Sequence, residues 1–565
     1  MSVVIDEESN AYGTRLMLYP LALLASAIWL FHLWQQQSRF YKLGNKLPGP
    51  MALPVFGNAL MALFKNPEDF IKIAFQYADK YGFVVRGWIG SKLIVFLANP
   101  EDVEVILNSH VHIDKAPDYR YFEPWLGEGL LISSGQKWRS HRKMIAPTFH
   151  INILKSFVDV FNQNSRSVVE KMRTEIGKTF DIHDHMSEAT VNILLETAMG
   201  ISKNKTQDKS GYDYAMAVMK MCDIIHQRHY KFWLRLDFLF KWHPLCETQK
   251  KLLDIIHGLT NKVIGIKKKL YYENKAKGIL PPTIEELTQT KASNSGGAFA
   301  NDAKTLSDTV FKGYRDDLDF NDDNDVGAKK RLAFLDLMIE SAQNGINNIS
   351  DHEIKEEVDT IMFEGHDTTA AGASFVLCLL GVYQDIQAKV YEELYQIFGD
   401  SDRPATFLDS LEMKYLERVI LETLRLYPPV PIIAREVKKD VQIVTGNHVI
   451  PAGATVVIGT LGVHRNPKHY KDPLTFNPDN FLPENMQNRH YYSYIPFSAG
   501  PRSCVGRKYA LLKLKILLST ILRNYRSVSE IPEEKFKLTV DIILKRSDGF
   551  RIKIEPRRKV QISAA

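Results

Sequence analysis

A mainly α-helical fold with a small β part, preceded by one N-terminal membrane-crossing helix, is what three observations predict. Leu16 to Trp34 is a nineteen-residue run that is apolar apart from Ser26 and His32. Phe83 to Trp88 and Leu93 to Leu97 are short β-like runs, while from about residue 66 onward helical periodicity otherwise dominates. The third is a long stretch from Asp351 to about Tyr383 that is almost wholly apolar in its second half. That is the pattern of a central core helix.

The apolar run at the N-terminus is long enough to cross a bilayer core as a helix. Ala25, Ser26 and Ala27 could be read as a signal-peptidase site, but acidic residues (Asp6, Glu7, Glu8) precede the run and it continues through Ile28 to Trp34. Arg39, Lys42 and Lys46 follow it, so by the positive-inside bias the bulk of the chain lies in the cytosol. Leu47 to Pro50, LPGP, is a stiff turn that separates residues 1–46, an anchor and linker, from the folded remainder, 47–565.

With 565 residues, 45% of them hydrophobic, the chain can bury a large core. The net charge of +6 is spread along the chain, and no nucleic-acid-binding motif accompanies it, so a membrane surface or an acidic partner fits better than nucleic acid. Cys222, Cys246, Cys378 and Cys504 are far apart and form no C-x-x-C pair. Neither a disulfide framework nor a zinc site is indicated.

Lys115 to Ser134 is rich in aromatics, Gly and Pro without a clean period, and reads as a long loop. Trp138 and Arg142 follow at i and i+4 of a predicted helix and share a face. Taken alone, that pair reads as chance on an exposed amphipathic helix. Residues 279 to 328 are polar, with an acidic end from Asp316 to Asp325, and read as a mobile surface insertion with one short helix around Ile284 to Leu287.

Within the long helix stands a polar island, Glu364, Asp367 and Thr368, at i, i+3 and i+4 on one face. Buried carboxylates need either a structural network or a function. Gly365 lowers helix stability and Thr368 can bond back to a carbonyl, which predicts a local opening. Glu422 and Arg425 then form E-x-x-R ahead of Pro428 and Pro429, by itself a weak signal. Finally Phe497 to Gly506, FSAGPRSCVG, sets Cys504 between glycines and beside Arg502. A thiolate ligand requires close backbone N–H groups, which glycine permits. A lone cysteine would more often be a buried apolar thiol.

The pattern F-x-x-G-x-R-x-C-x-G, met at Phe497, Gly500, Arg502, Cys504 and Gly506, is similar to the haem-thiolate loop of cytochromes P450. W-x-x-x-R, the acid–alcohol pair Asp367-Thr368 and E-x-x-R precede it in that family's order. The resemblance covers Leu47 to about residue 555 and implies the cytochrome P450 fold around haem b. It implies Cys504 as the axial iron ligand, and Trp138, Arg142, Arg435 and Arg502 as partners of the haem propionates. Asp367 and Thr368 become a proton relay for oxygen activation. Glu422 and Arg425 become a structural pair behind the haem, and Val430 to Ile433 a wall of the substrate cavity.

The segment E-G-H-D-T-T resembles family 4 in particular, in which the matching glutamate can esterify a haem methyl; Glu364 is the candidate for that link. FNPDNFLPE departs from the family pattern, with neutral Asn480 where an arginine usually completes the E-x-x-R network, so that network is expected to be rewired. The chain is too short for a fused flavin reductase, and the resemblance implies electrons from NADPH through NADPH–cytochrome P450 reductase at the endoplasmic reticulum membrane. Arg139, Lys143, Arg507, Lys508, Lys513 and Lys515 are candidates for a basic docking face, against the plainer reading of solvated charge.

The long insertion with FEGHDTT and FNPDNF resembles the insect subfamily that makes cuticular hydrocarbons. That implies oxidative decarbonylation of long-chain aldehydes. The alternatives are a fatty-acid ω-hydroxylase, an electron-independent haem-thiolate isomerase or gas sensor, and a non-enzymatic membrane scaffold.

Overall fold

The computed structural model describes residues 19–20, 22–62, 65, 67–202, 210–278, 332–344 and 349–557. Residues 22–36 are helical, and Leu23, Leu30, Phe31 and Trp34 there are more than half exposed. Among the described residues no single helix is long and apolar enough to cross a membrane. The expected span Leu16 to Trp34 is therefore not shown, and its residues 16–18 and 21 lie outside the described residues. The expected insertion and its short helix around Ile284 to Leu287 also lie outside them.

The two expected β runs form a hairpin, β1 (Val84–Ile89) and β2 (Lys92–Leu97), in register Val84 to Leu97. Two later strands, β3 (Ile432–Glu436) and β4 (Thr455–Gly459), complete a sheet of order β1-β2-β4-β3. Only β2 and β4 run parallel in it. A second hairpin pairs β5 (Leu538–Val540) with β6 (Leu544–Arg546).

Helices make up the rest of the core. Those that bear on the site are α1 (Gly135–Ile145), α2 (Ile182–Glu196), α3 (Ser210–Tyr230), α4 (Pro244–Ala276), α5 (Asp351–Val382), α6 (Lys414–Leu426) and α7 (Arg507–Asn524). The expected long helix is α5. Ser350 opens it with a capping box: its hydroxyl accepts from the Glu353 N–H while the Glu353 carboxylate accepts from the Ser350 N–H. From Ala370 to Gly381 every side chain is buried, because α2, α3, α4, α6 and α7 all pack against this helix. Removing any one of its large apolar side chains would forfeit about 2–5 kcal/mol. α6 ends just before Pro428, whose ring disfavours helical geometry in the residue ahead of it.

α7 corrects one expectation. It is buried nearly all round, so Lys513 and Lys515 are inside the protein and cannot belong to a docking face. The Lys515 ammonium is paired with Glu417 at 2.5 Å and donates to the Ser410 carbonyl. Arg139 and Lys143 are exposed and Arg507 and Lys508 half-buried, so only these four remain candidates for that face.

Candidate active site

The segment Lys115 to Ser134 is not the unstructured loop its composition suggests. It folds into a 3-10 helix, Pro117–Phe122, and a short α-helix, Glu123–Leu126. Trp125 packs on Phe363 of α5 with ring centroids 4.4 Å apart, and Glu356 and Glu357 of α5 accept the backbone N–H groups of Glu128 and Leu130. The segment thereby becomes one wall of a cavity of about 520 Å³. Val430, Ile432 and Ile433 line it as well, in line with the expected substrate wall.

Cys504 stands on this cavity, at the end of the loop that runs from Phe497. The loop closes on itself: the Cys504 N–H donates to the Phe497 carbonyl at 2.8 Å, and Ser503 donates to Gly500. Gly500 has a left-handed φ of 69°, and a Cβ there would lie 2.1 Å from the Leu107 carbonyl oxygen. Glycine at 500 is thus demanded by the helix Pro100–Leu107 beneath the loop, not by the sulfur as the sequence suggested. At Gly506 a Cβ would sit 4.0 Å from the Cys504 Sγ, an ordinary contact. Gly506 is the N-cap of α7, so the positive end of that helix dipole lies just beyond the thiol.

Lys115, Arg142 and Arg502 line the cavity together with Arg235, and Arg435 stands just behind the wall, next to Lys115. Trp138 and Arg142 share the buried face of α1, and Trp138 serves as a platform for Arg502, whose guanidinium lies 4.6 Å above its ring. Arg502 also donates to the carbonyls of Leu131 and Ser133, but its buried Nε has no hydrogen-bond partner among the described residues. Arg435 is 2% exposed and, among the described residues, its guanidinium donates only to the Ala434 carbonyl. A backbone bridge sets Lys115 beside Arg435, and the Lys115 ammonium lies 4.8 Å over the Tyr119 ring.

Burial, then the neighbouring cations, pushes Lys115 well below its ordinary value, and burial and Arg435 bring Arg502 down to about 9. Buried cations so placed are costly unless an anion joins them. Two carboxylates on a flat apolar ring, with iron over a thiolate, would satisfy this donor set, so the residues fit a haem. Lys115 is the member that sequence reasoning missed, although it opens the segment read there as a long loop.

Across the cavity, α5 presents Glu364 and Thr368. Glu364 lies deep inside the protein, so burial pushes its carboxyl up to about 7 against the pull of Lys115. The Thr368 hydroxyl donates to the Glu364 carbonyl at 2.7 Å. Asp367 does not share this face. It stands about 100° round the helix from Thr368, fully buried behind the cavity wall. There its carboxylate meets Lys545 of β6 at 3.3 Å and His183 of α2 at 3.9 Å. Burial alone would raise Asp367, but Lys545, His366 and His183 hold it below the usual carboxylate value. The expected opening at Gly365 is also absent, for α5 is helical throughout. Gly365 instead admits Leu194 of α2, whose Cδ2 would lie 2.9 Å from a Cβ at that position.

Behind the cavity, Glu422 and Arg425 are both 0% exposed and paired at 2.7 Å. Arg425 also donates to the carbonyls of His464, Pro473 and Thr475. Glu422 accepts from the Asn477 N–H and, at 3.1 Å, from the Asn480 side-chain amide. The expected rewiring is therefore specific: the amide replaces the usual fork, and Arg489 reaches the same segment by donating to the Asn480 carbonyl. Two further groups escaped sequence reasoning: Asp541, after β5, and His226 of α3 line the cavity with His226 Nδ1 3.6 Å from Asp541 Oδ1.

The family profile described as Cytochrome P450 matches residues 47–554. Cytochrome P450 4g15 of Drosophila melanogaster is 55% identical over 575 residues, covering 98% of this chain and 99% of that protein. Cytochrome P450 4g1 of the same organism is 50% identical, over 99% of this chain and 97% of its own length. Cytochrome P450 4V2 of Homo sapiens is 38% identical over 90% of this chain and 89% of its own.

Proposed function

This chain belongs to the cytochrome P450 family, and from that premise we propose that it converts long-chain aldehydes to hydrocarbons by oxidative decarbonylation. The balance is one aldehyde, one O₂, two electrons and two protons giving the hydrocarbon one carbon shorter, carbon dioxide and water. As a family 4 P450 it is a haem-thiolate oxidoreductase supplied with NADPH-derived electrons through a reductase. The haem, when bound, supplies oxygen activation.

One observation carries this reading: Cys504 and the pair Glu364 and Thr368 line a single cavity whose other walls are largely apolar. Cys504 would bind the iron from one side. Lys115, Arg142, Arg435 and Arg502 would hold the carboxylates of the ring, with Trp138 and Phe497 packing at its margin. Gly500 and Gly506 shape the loop. Thr368 holds a proton at the cavity, and Asp367 is its reservoir behind the helix, reaching forward when its contact with Lys545 breaks. Glu364 is the candidate for an ester to the ring. Residues 47–565 act as the catalytic domain, and 1–46 anchor it to the endoplasmic reticulum membrane with the domain in the cytosol.

A fatty-acid ω-hydroxylase is the second reading, favoured by Arg235 and His229, which line the same cavity and suit a carboxylate. Against it, Arg235 is already paired with Asp118. Incubation of the holoenzyme with a long aldehyde, reductase and NADPH decides: a hydrocarbon one carbon shorter is expected, and hydroxylated lipid alone would contradict the proposal. Turnover without reductase would favour an isomerase.

A further inference from the structure

Lys513 is a buried ionisable group that the proposed chemistry leaves unused. It is 0% exposed on α7 and makes no ion pair with a described carboxylate. Its ammonium makes one hydrogen bond, 2.8 Å, to the backbone carbonyl of Gly365, and stands 4.9 Å over the Tyr509 ring. A charged donor without an anion inside a core is costly, so a helix that keeps one gains something from it. Burial pushes the group down to about 7.

Its place in the chain gives the reason. Lys513 lies on the helix that begins directly after the Cys504 loop, whereas Gly365 follows Glu364 and precedes Thr368 by less than one turn. A bond from one to the other ties the two walls of the cavity together. The Gly365 carbonyl takes a further donor, the Thr369 hydroxyl at 3.2 Å. On the far side of Gly365, Leu194 presses where a side chain would otherwise stand. The glycine is thus held between an apolar contact and a cationic one, at one of the three positions where α5 is intrinsically weakest, Gly365, Gly372 and Gly381.

We propose that Lys513 is a positioning residue: its bond to the Gly365 carbonyl fixes the oxygen-side helix against the helix that carries the thiolate loop, and so sets where Glu364 and Thr368 stand over the cavity. Tyr509 fixes the ammonium's height. Its hydroxyl is bonded to Thr197 at 2.8 Å, and Phe149, Phe157 and Phe161 pack edge-on against its ring. Lysine is needed at 513 because a long, flexible stem must end in a strong donor, which methionine matches in size but not in chemistry. This inference rests on the roles proposed above for Glu364 and Thr368, but the tie itself is read without them.

The test uses haem-loaded full-length protein carrying Lys513→Met or Lys513→Gln. With Lys513→Met, amide exchange over residues 364–369 should quicken at least tenfold while the rest of α5 keeps its protection. The 450 nm band of the reduced, CO-bound state should remain. Product per NADPH should fall severalfold with KM unchanged, the difference appearing as hydrogen peroxide. Lys513→Gln, which keeps a neutral donor, should recover most of the exchange protection. Wild-type exchange and coupling in Lys513→Met would overturn the proposal. Faster exchange with unchanged coupling would retain the tie and overturn its role in setting Glu364 and Thr368. Should Lys513→Met yield no holoenzyme, exchange in the wild type decides: residues 364–369 must be as protected as Ala370 to Gly381, and rapid exchange there would contradict the tie.

Discussion

Two buried charge clusters lie on either side of the segment Leu426 to Arg435, and they differ in one respect. Around Glu422 and Arg425 the charges are balanced and nearly every polar atom has a partner within the chain. Around Arg435, Arg502 and Lys115 three cations gather at the cavity wall with fewer carboxylates against them: Glu364 acts on Lys115 and Asp114 on Arg502, and burial leaves the Glu364 carboxyl only weakly inclined to ionise at neutral pH. Balanced buried charge is scaffold; unbalanced buried charge is a binding site that awaits its anion. The two clusters should therefore answer substitution in opposite ways.

The largest effect is expected in the balanced cluster. Arg425→Ala leaves Glu422 buried without its counter-charge, and should cost about 3–5 kcal/mol. Thermal unfolding and loss of the CO-bound 450 nm band would report it. Arg435→Met is the contrary case: the haem-free protein should melt no lower than wild type, whereas the holoenzyme should release haem at least about tenfold faster to a scavenger, since a charge-assisted contact is lost. A destabilised haem-free protein would erase the distinction.

The third prediction concerns pH. The Glu364 carboxyl titrates near 7 when folded and about two units lower when unfolded. Between those values the native state binds the extra proton, so this group lowers stability as pH rises through the window from about 4.5 to 7. Melting of the haem-free protein across that range should show the decline, and Glu364→Gln should flatten it. Smallest is Asn480→Ala, which removes one of several donors to Glu422 and should cost about 1–2 kcal/mol. A larger loss would mean that the amide carries the network more than Arg425 does.

The contrast also marks how far the sequence could be read. Short patterns within one helix or one loop were legible as placements: Trp138 and Arg142 share a face, Glu422 and Arg425 pair, Cys504 lies on the cavity, and the two β runs and the long helix α5 form where expected. What failed depends on partners far away in the chain. Asp367 is drawn off the cavity by Lys545, which is 178 residues distant. Lys513 and Lys515 read as surface charge because nothing local shows that α7 is enclosed on every side. The requirement for glycine at 500 comes from Leu107, and no motif within the loop contains it.

The unbalanced cluster can be tested without any turnover, by adding haem or haem dimethyl ester, its two carboxylates masked, to the haem-free protein. Haem should bind at least tenfold more tightly than the diester to the wild type, with most of that difference lost in the double variant Arg435→Met, Arg502→Met. Equal binding of the two by the wild type would contradict the account, since the buried cations would then have no anion to hold.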